Sequence, residues 1–582
     1  MWLLPAAVAA VAAVVYLAAD PPSADLAAQR FRVDLFEREG FTLFSTAWYG
    51  GHHTPGYSVL FPPLGALLGA RLVAALAAVA AVAFVAALAG ERGRLAGLTF
   101  APGAVASLVS GRLAFTLGLG VATGAVLAAA RGRTWLATSA GVLTALASPV
   151  AALFAALAGA ALAAASTARC QAPSHCGARH LHIAVPGTFT RGARHLHKDL
   201  SPPDSRGLTP PPRGDSRGLT PPPRGDSRGL TPPQRGGSRG LTPWAGVGLA
   251  AGAVVPTAFL VVAFPEGGVF PFVASAFWPT FAAAVAVALA APREWRAVRV
   301  GAALYAVVAL AAFAIPTPLG GNAARLGTLF AAPVAALALW PHRRGPLALL
   351  ALPIAYWALQ PAVRDWLRAH DDPSTEAAFH APVAQFAQRR QPARVEVPFT
   401  QSHGEAHHLA AVAPIARGWE RQLDVERNEL FYEGRLTPGR YAAWLRENAI
   451  AYVAVPLGLP MDASAEEEKT LALSHPQSLR EVARTDRWRI FATTDPQPLA
   501  TPPATLTELK PEGFVLNAPQ PGVTVVRVRF TPYWALLEGE GCVEPAPGGW
   551  TRVRVRDAGR VEVGTRFSLA RVRAETPRCT DS

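Results

Sequence analysis

Lysine, methionine and cysteine are scarce in this chain, and so is charge of either sign. Of 582 residues, 16% are charged, 2 are methionine and 4 are cysteine, and nearly all of the 54 basic residues are arginine. Four cysteines are too few for a disulfide framework, which excludes a small cross-linked scaffold. The first segment, Met1–Ala19, lacks a basic start. That favours an uncleaved first span over a cleaved signal peptide, although Leu17-Ala18-Ala19 offers a small-residue cleavage site. The HExxH pattern of zinc proteases is missing. Few ionisable residues fall inside the apolar runs, and no two halves carry matching broken helices, which speaks against a transporter. The formal charge of +14 is no nucleic-acid signal, because much of it sits in loops between apolar runs and in one low-complexity tract. The excess of arginine and alanine reads as the coding bias of a GC-rich genome.

What is present is hydrophobic length. The first 360 or so residues are mostly Ala, Val and Leu in runs of membrane-spanning length, broken by short arginine-containing loops. The remainder has ordinary globular character. The expected organisation is a polytopic all-α membrane domain of about 10–11 spans, then an α/β region and a small β-sandwich-like unit. The boundaries are 1–165 for the first membrane helices, with a polar loop at 20–63, and 244–361 for the second set. The α/β region covers 371–512 and the β unit 513–582. Pro62-Pro63 marks a short partial helix before a full span, and Ser148-Pro149 marks a turn between two short ones.

Residues 166–243 form an insert with three tandem eleven-residue units, two of DSRGLTPPPRG and one of DSRGLTPPQRG, and a truncated fourth copy. Such Pro-, Gly- and Arg-rich text cannot bury a core and is expected to be disordered and cytoplasmic. A basic tail touching anionic lipid is the alternative. Cys170, His175, Cys176, His180 and His182 fit no zinc spacing well. With the arginine-rich loops on one side throughout, the first loop and the C-terminal region fall on the same outer side.

In the C-terminal region, Arg394–Pro398 and Ala451–Pro456 read as strands and Tyr441–Asn448 as a helix. VTVVRVRF, TRVRVR and RVEVGTRFSL read as antiparallel strands. Cys542 and Cys579 lie in this unit, and an outer location allows a disulfide between them.

The loop from Asp20 to Pro63 holds the densest chemistry: carboxylates, the run Trp48-Tyr49-Gly50-Gly51-His52-His53, and the Pro-Pro pair. A first span, an outer loop with an early Asp, and Pro-Pro opening the next helix together resemble the GT-C superfamily of membrane glycosyltransferases. Lipid-linked aminosugar transferases and protein mannosyltransferases are the nearest comparison. Asp25 matches the family's acid and Pro62-Pro63 its Pro-Pro element. The resemblance implies a sugar moved from a polyprenyl-phosphate lipid to a cell-envelope acceptor at a bacterial plasma membrane. Asp25 would be the general base, with Asp34 and Glu37 as the next acids. His52, His53 and Arg325 are candidates for the phosphate, and Trp48 and Tyr49 for stacking on a sugar. No cofactor is required, and a divalent metal is left open.

Each residue also has a structural reading. Asp20 and Asp25 suit the cap of a helix beginning near Ala27. Asp34 and Glu37 suit a solvated helix face, and Trp48 and Tyr49 an interfacial aromatic belt. Arg325 suits a headgroup or a carboxylate of the outer region. His403, Glu405, His407 and His408 look like a metal site without matching a known pattern. Arg417-Gly418-Trp419-Glu420-Arg421 is a dense patch that could face the first loop. Beside the transferase stands a non-catalytic membrane protein with a glycan- or envelope-binding domain.

Overall fold

The apolar runs become helices because lipid leaves backbone groups no partner but each other. The computed structural model describes residues 3–170, 243–573 and 579. The tandem repeats and the Cys176 and His175–His182 cluster lie outside the described residues. The remainder packs as one compact unit.

The chain opens with α1 (Leu3–Ala19) and α2 (Ala24–Glu39), which meet at 81°. A two-strand ribbon follows, β1 (Phe44–Ser45) with β2 (His52–His53). Next come α3 (Phe61–Leu68), α4 (Ala70–Leu88), α5 (Gly93–Val109) and α6 (Leu113–Ala130). The short α3 before the long α4 is the partial helix that the Pro-Pro pair predicts, and its prolines occupy the first turn, where no backbone donor is lost. α7 (Thr134–Ala147) and α8 (Pro149–Cys170) break at Ser148, again at a proline. α9 (Pro243–Ala263), α10 (Ala274–Ala290), α11 (Arg296–Ala314), α12 (Ala324–Leu339) and α13 (Arg344–Ala369) complete the apolar set. Among the described residues, seven helices are long and apolar enough to cross a membrane, eight if α1 and α2 form one bent span, while α7 and α10 are apolar but shorter. Small residues let the helices close in. A Cβ on Gly159 of α8 would lie 2.7 Å from the Gly246 carbonyl of α9, so the two backbones touch.

α13 runs past Pro361 into the C-terminal region, through α14 (Ala377–Gln388). A four-stranded sheet then forms from β3 (Arg394–Glu396), β4 (Ile450–Pro456), β5 (Leu479–Arg484) and β6 (Trp488–Thr493), in the order β3-β4-β6-β5 with β3 and β4 parallel. The helices α15 (Glu405–His408), α16 (Arg421–Arg427), α17 (Pro438–Glu447) and α18 (Glu466–Leu473) connect or cover it. α17 starts at Thr437, whose hydroxyl accepts from the Arg440 N–H at 3.3 Å, and buries Tyr441, Trp444 and Leu445.

The last unit has seven strands: β7 (Thr505–Lys510), β8 (Gly513–Ala518), β9 (Gly522–Arg529), β10 (Trp534–Glu538), β11 (Gly541–Ala546), β12 (Trp550–Val555) and β13 (Gly559–Thr565). They make one sheet in the order β10-β13-β8-β7 and another in the order β11-β12-β9. Their inner residues, among them Phe514, Leu516, Val526, Val553 and Val563, share one core. The unit begins earlier in sequence than its strongest alternation suggests, because β7 is largely exposed and its text is polar. α19 (Leu569–Arg573) follows. Cys542 and Cys579 are joined in a disulfide, with Cα atoms 5.8 Å apart.

A charged knot lies inside the α/β region. Arg417 holds Asp424 at 2.7 Å and Glu468 at 3.2 Å, and all three side chains are buried. Removing the cation strands two carboxylates in a dry interior, which costs about 3–5 kcal/mol. Arg417→Met should therefore lower the denaturant midpoint of the C-terminal region by that order, while a loss below about 1 kcal/mol would show the knot to be dispensable.

Candidate functional site

Five polar side chains converge where helix ends meet on the side from which α13 enters the C-terminal region. Asp25, in the first turn of α2, faces Arg112 between α5 and α6 at 3.7 Å. The same guanidinium reaches Asp365, near the end of α13, at 4.0 Å. Asp25, Arg112 and Tyr57 are near enough to act on Arg325 at the start of α12, which lies over the Phe115 ring at 5.0 Å. The Tyr57 hydroxyl takes a hydrogen bond from Gln29 at 2.6 Å. The backbone approaches closely here: a Cβ on Gly111 would lie 2.2 Å from the Ser23 hydroxyl and 2.8 Å from the Leu26 amide. Ser23, not Asp20 or Asp25, occupies the position before α2, and its side chain makes no cap bond. Asp20 instead pairs with Arg71 at 2.6 Å.

An apolar groove of about 450 Å³ lies between α1, α5 and α13. Val8 and Ala12 of α1, Val105 and Val109 of α5, and Val363 and Trp366 of α13 line it. Val109 is three residues from Arg112, and Trp366 is adjacent to Asp365. The apolar groove and the polar cluster thus share α5 and α13, with Arg112 just past the end of α5 and Asp365 near the end of α13.

Of the residues singled out from sequence, the fold brings Asp25 and Arg325 together. The others lie elsewhere. Asp34 bonds His407 Nε2 at 2.6 Å, joining α2 to α15, and Glu37 is exposed. Trp48 is fully buried, stacked on Phe31 at 4.1 Å, with its Nε1–H donating to the Ala406 carbonyl at 2.9 Å. Gly418 is pressed against that indole, where a Cβ would sit 2.4 Å from the ring. The Tyr49 hydroxyl donates to the Gly418 carbonyl and accepts from the Glu420 amide. His52 is buried against Trp48 with neither ring nitrogen hydrogen-bonded, and burial pushes its pKa down to about 3, so it is a neutral ring. His53 meets Thr531 at 2.9 Å and Glu266 at 3.1 Å. Arg427 holds the other Glu266 oxygen at 2.7 Å and the Gly51 carbonyl at 2.6 Å. Burial works to raise the Glu266 carboxyl, but Arg427 and His53 outweigh it and hold it at about 2. Arg32, buried beneath the loop, pairs with Glu420 and lies 3.8 Å over the Tyr57 ring. The 40–60 segment is therefore an interlock whose aromatic faces are already occupied.

The patch Arg417–Arg421 faces this segment through Gly418 and Glu420, while Arg417 is buried elsewhere and Trp419 is half-buried. His403 stacks on Trp419 at 3.3 Å, His407 turns to Asp34, and His408 meets the Thr375 carbonyl at 3.2 Å. Among the described residues, no group of three His, Cys, Asp or Glu side chains is arranged to hold a metal ion. Sequence reasoning missed Arg112, Asp365 and Tyr57. Asp365 carried a usable signal, being an acid at the end of a long apolar run.

No family model matches the chain, and no curated protein matches it. A solved structure, that of ArnT from Cupriavidus metallidurans bound to undecaprenyl phosphate, is similar over 85% of this chain and 99% of that protein, at 13% identity and a TM-score of 0.39. At that identity and score the likeness carries no argument, and the functional reading rests on the geometry above.

Near the Arg417 knot, Glu396 is fully buried with neither oxygen hydrogen-bonded. Burial first, then Glu468, raises its pKa well above the carboxylate range, and Arg417 only partly opposes this. Burial also lifts Glu468 to about 7. The folded state thus holds a proton that the unfolded chain has lost. That contribution is complete below the ordinary carboxylate pKa of about 4.3 and disappears as pH rises towards the folded value, at about 1.4 kcal/mol per unit. Glu396→Gln should be more stable than wild type near neutrality, with the gap closing towards about pH 4, as read by denaturant midpoints across that range. Parallel curves for the two proteins would contradict an ionisable Glu396 that is neutral when folded.

Proposed function

We propose that this chain is an integral membrane glycosyltransferase that takes a sugar from a polyprenyl-phosphate donor and gives it to a cell-envelope acceptor. The observation that carries this reading is the cluster of Asp25, Arg112, Asp365 and Arg325 at helix ends, with an apolar groove along α5 and α13, the helices that lead to Arg112 and carry Asp365. A polyprenyl tail fits the groove by the hydrophobic effect alone. Its phosphate then arrives beside two guanidiniums, which bind phosphate through paired charge-assisted bonds. Asp25 lies next to them with its side chain 38% exposed, open to an acceptor.

The chemistry follows from that placement. Asp25 takes the proton of an acceptor hydroxyl as the oxygen bonds to the anomeric carbon. The bond from that carbon to the phosphate oxygen breaks, and the polyprenyl phosphate leaves with the electron pair. Arg112 and Arg325 stabilise the charge that gathers on it. Asp365 positions Arg112, and Tyr57 stands beside Arg325. The scheme needs no cofactor, metal or nucleic acid. It places the cluster and the C-terminal region on the outer face of a plasma membrane, the side that the arginine-rich loops avoid.

The test is transfer from labelled polyprenyl-phosphate sugars to an envelope extract. Asp25→Asn should lower turnover by about 10²–10⁴-fold with unchanged melting. Arg325→Gln should weaken donor use as well, through the phosphate. Unchanged transfer in Asp25→Asn would remove Asp25 from the mechanism and turn attention to Asp34 and Glu37. No transfer from any donor would sink the reading and favour an envelope-binding protein.

A further inference from the structure

A second charged feature lies in the C-terminal region and takes no part in the scheme above. Arg394 on β3 and Arg527 and Arg529 on β9 gather around Trp550, their guanidinium carbons 5.9, 5.6 and 4.0 Å from the ring centre. Arg394 is almost wholly buried; it donates to the carbonyls of Asn448 and Arg527, and its Nε–H has no acceptor. Arg529 donates to the carbonyls of Gly548 at 2.6 Å and Tyr49 at 3.4 Å. None of the three has a carboxylate at ion-pair distance among the described residues. Glu447 and Glu266 act on Arg529 only from farther away. Burial first, then Arg529 and Arg527, push Arg394 down to about 9.

Three guanidiniums held together by a fold ask for an anion. Arg529 also lines a cleft of about 400 Å³ with Glu266, Glu426, Arg427 and Glu447. Glu266 and Arg427 satisfy each other, whereas Glu426 and Glu447 are exposed carboxylates free to accept from hydroxyls. The first loop packs against the arginines: Gly50 accepts from the Arg529 amide at 2.8 Å and leaves room for Arg394 and Trp550, which a Cβ there would meet at 3.1 and 3.0 Å. Apolar ligands find little to bury in such a cleft, and polyanions meet two free carboxylates. We propose that the Arg394–Arg527–Arg529 cluster and its cleft bind a saccharide bearing one phosphate or carboxylate. The anion sits at Arg529, which lines the cleft, with Arg527 and Arg394 beside it around Trp550, and sugar hydroxyls meet Glu426 and Glu447. The same anionic chemistry is offered by a lipid headgroup, which the test separates.

The test is calorimetric titration of the detergent-purified full chain with glucose 6-phosphate, glucuronate, glucose and inorganic phosphate. The two sugar anions should bind and glucose should not. Arg527→Gln with Arg529→Gln should weaken binding about tenfold or more, and Asp25→Asn should leave it unchanged. Arg527→Gln alone serves if the double variant does not fold, because that side chain makes no hydrogen bond to lose. The proposal falls if wild type binds neither sugar anion, if the arginine variants bind as tightly, or if inorganic phosphate binds as well as glucose 6-phosphate. It falls also if phosphatidylglycerol vesicles, but not phosphatidylcholine vesicles, abolish binding, since the headgroup is then the occupant. Because Asp25→Asn is scored by binding, failure of transfer and failure of this site are read separately.

Discussion

The buried pairing of Arg32 with Glu420 is the constraint on which the arrangement depends. Arg32 projects from α2, and Glu420 precedes α16, 388 residues later. Both are withdrawn from water, so each needs the other, and separating them would strand a charge in a low dielectric. Around this pair the first loop and the C-terminal region interleave. Trp48 fills the space against Gly418, Tyr49 bonds both sides of Glu420, and Arg427 reaches the Gly51 carbonyl. Glu266 closes the circuit by holding Arg427 and His53 together. The membrane helices and the sheet region are thereby fixed to one another through polar bonds that are specific in direction, and not only through apolar area.

This interlock explains a division of labour within the loop. Its aromatic and histidine residues serve docking, whereas its carboxylate at Asp25 faces a different neighbourhood of helix ends. The backbone at Tyr49, Gly50 and Gly51 is left-handed throughout, with φ of 60, 73 and 132°. Glycine adopts this freely and tyrosine does not. The Tyr49 hydroxyl bonds at Glu420 hold that residue in place. The turn lets Trp48 point to α15 while Gly50 lies under Arg394 and Trp550.

Much of the fold was legible because its signals are local. Prolines marked the breaks at α3 and Ser148, hydrophobic length marked the helices, and alternation marked β9, β12 and β13. Asp25 and Arg325, singled out through layout, stand in one cluster in the fold. The roles of Trp48, Tyr49, His52 and His53 were not, because a loop rich in such residues reads the same whether a ligand or a distant segment covers it. Their partners, Ala406, Gly418, Glu420 and Thr531, lie several hundred positions away, and nothing local announces them. Arg112 was hidden for another reason. A lone arginine between two apolar runs is what a loop charge looks like, and only the fold sets it between two carboxylates.

Charge balance at that cluster has a consequence for the transferase reading. Two guanidiniums and two carboxylates offset one another while no donor is present, with Asp25 and Asp365 sharing Arg112. A phosphate arriving from the groove competes for that guanidinium and binds it more strongly, since it offers more charge and more acceptor oxygens. Arg112 can satisfy the newcomer only by loosening its hold on a carboxylate. Asp365 is the better-covered partner, its side chain 21% exposed against 38% for Asp25, so Asp25 is the one more readily released. Under the proposed scheme that carboxylate is then free to meet an acceptor hydroxyl once the donor is in place. In the proposed scheme, arrival of the lipid phosphate and release of Asp25 are then one event, which would keep an acceptor hydroxyl from being activated before there is a sugar to receive it.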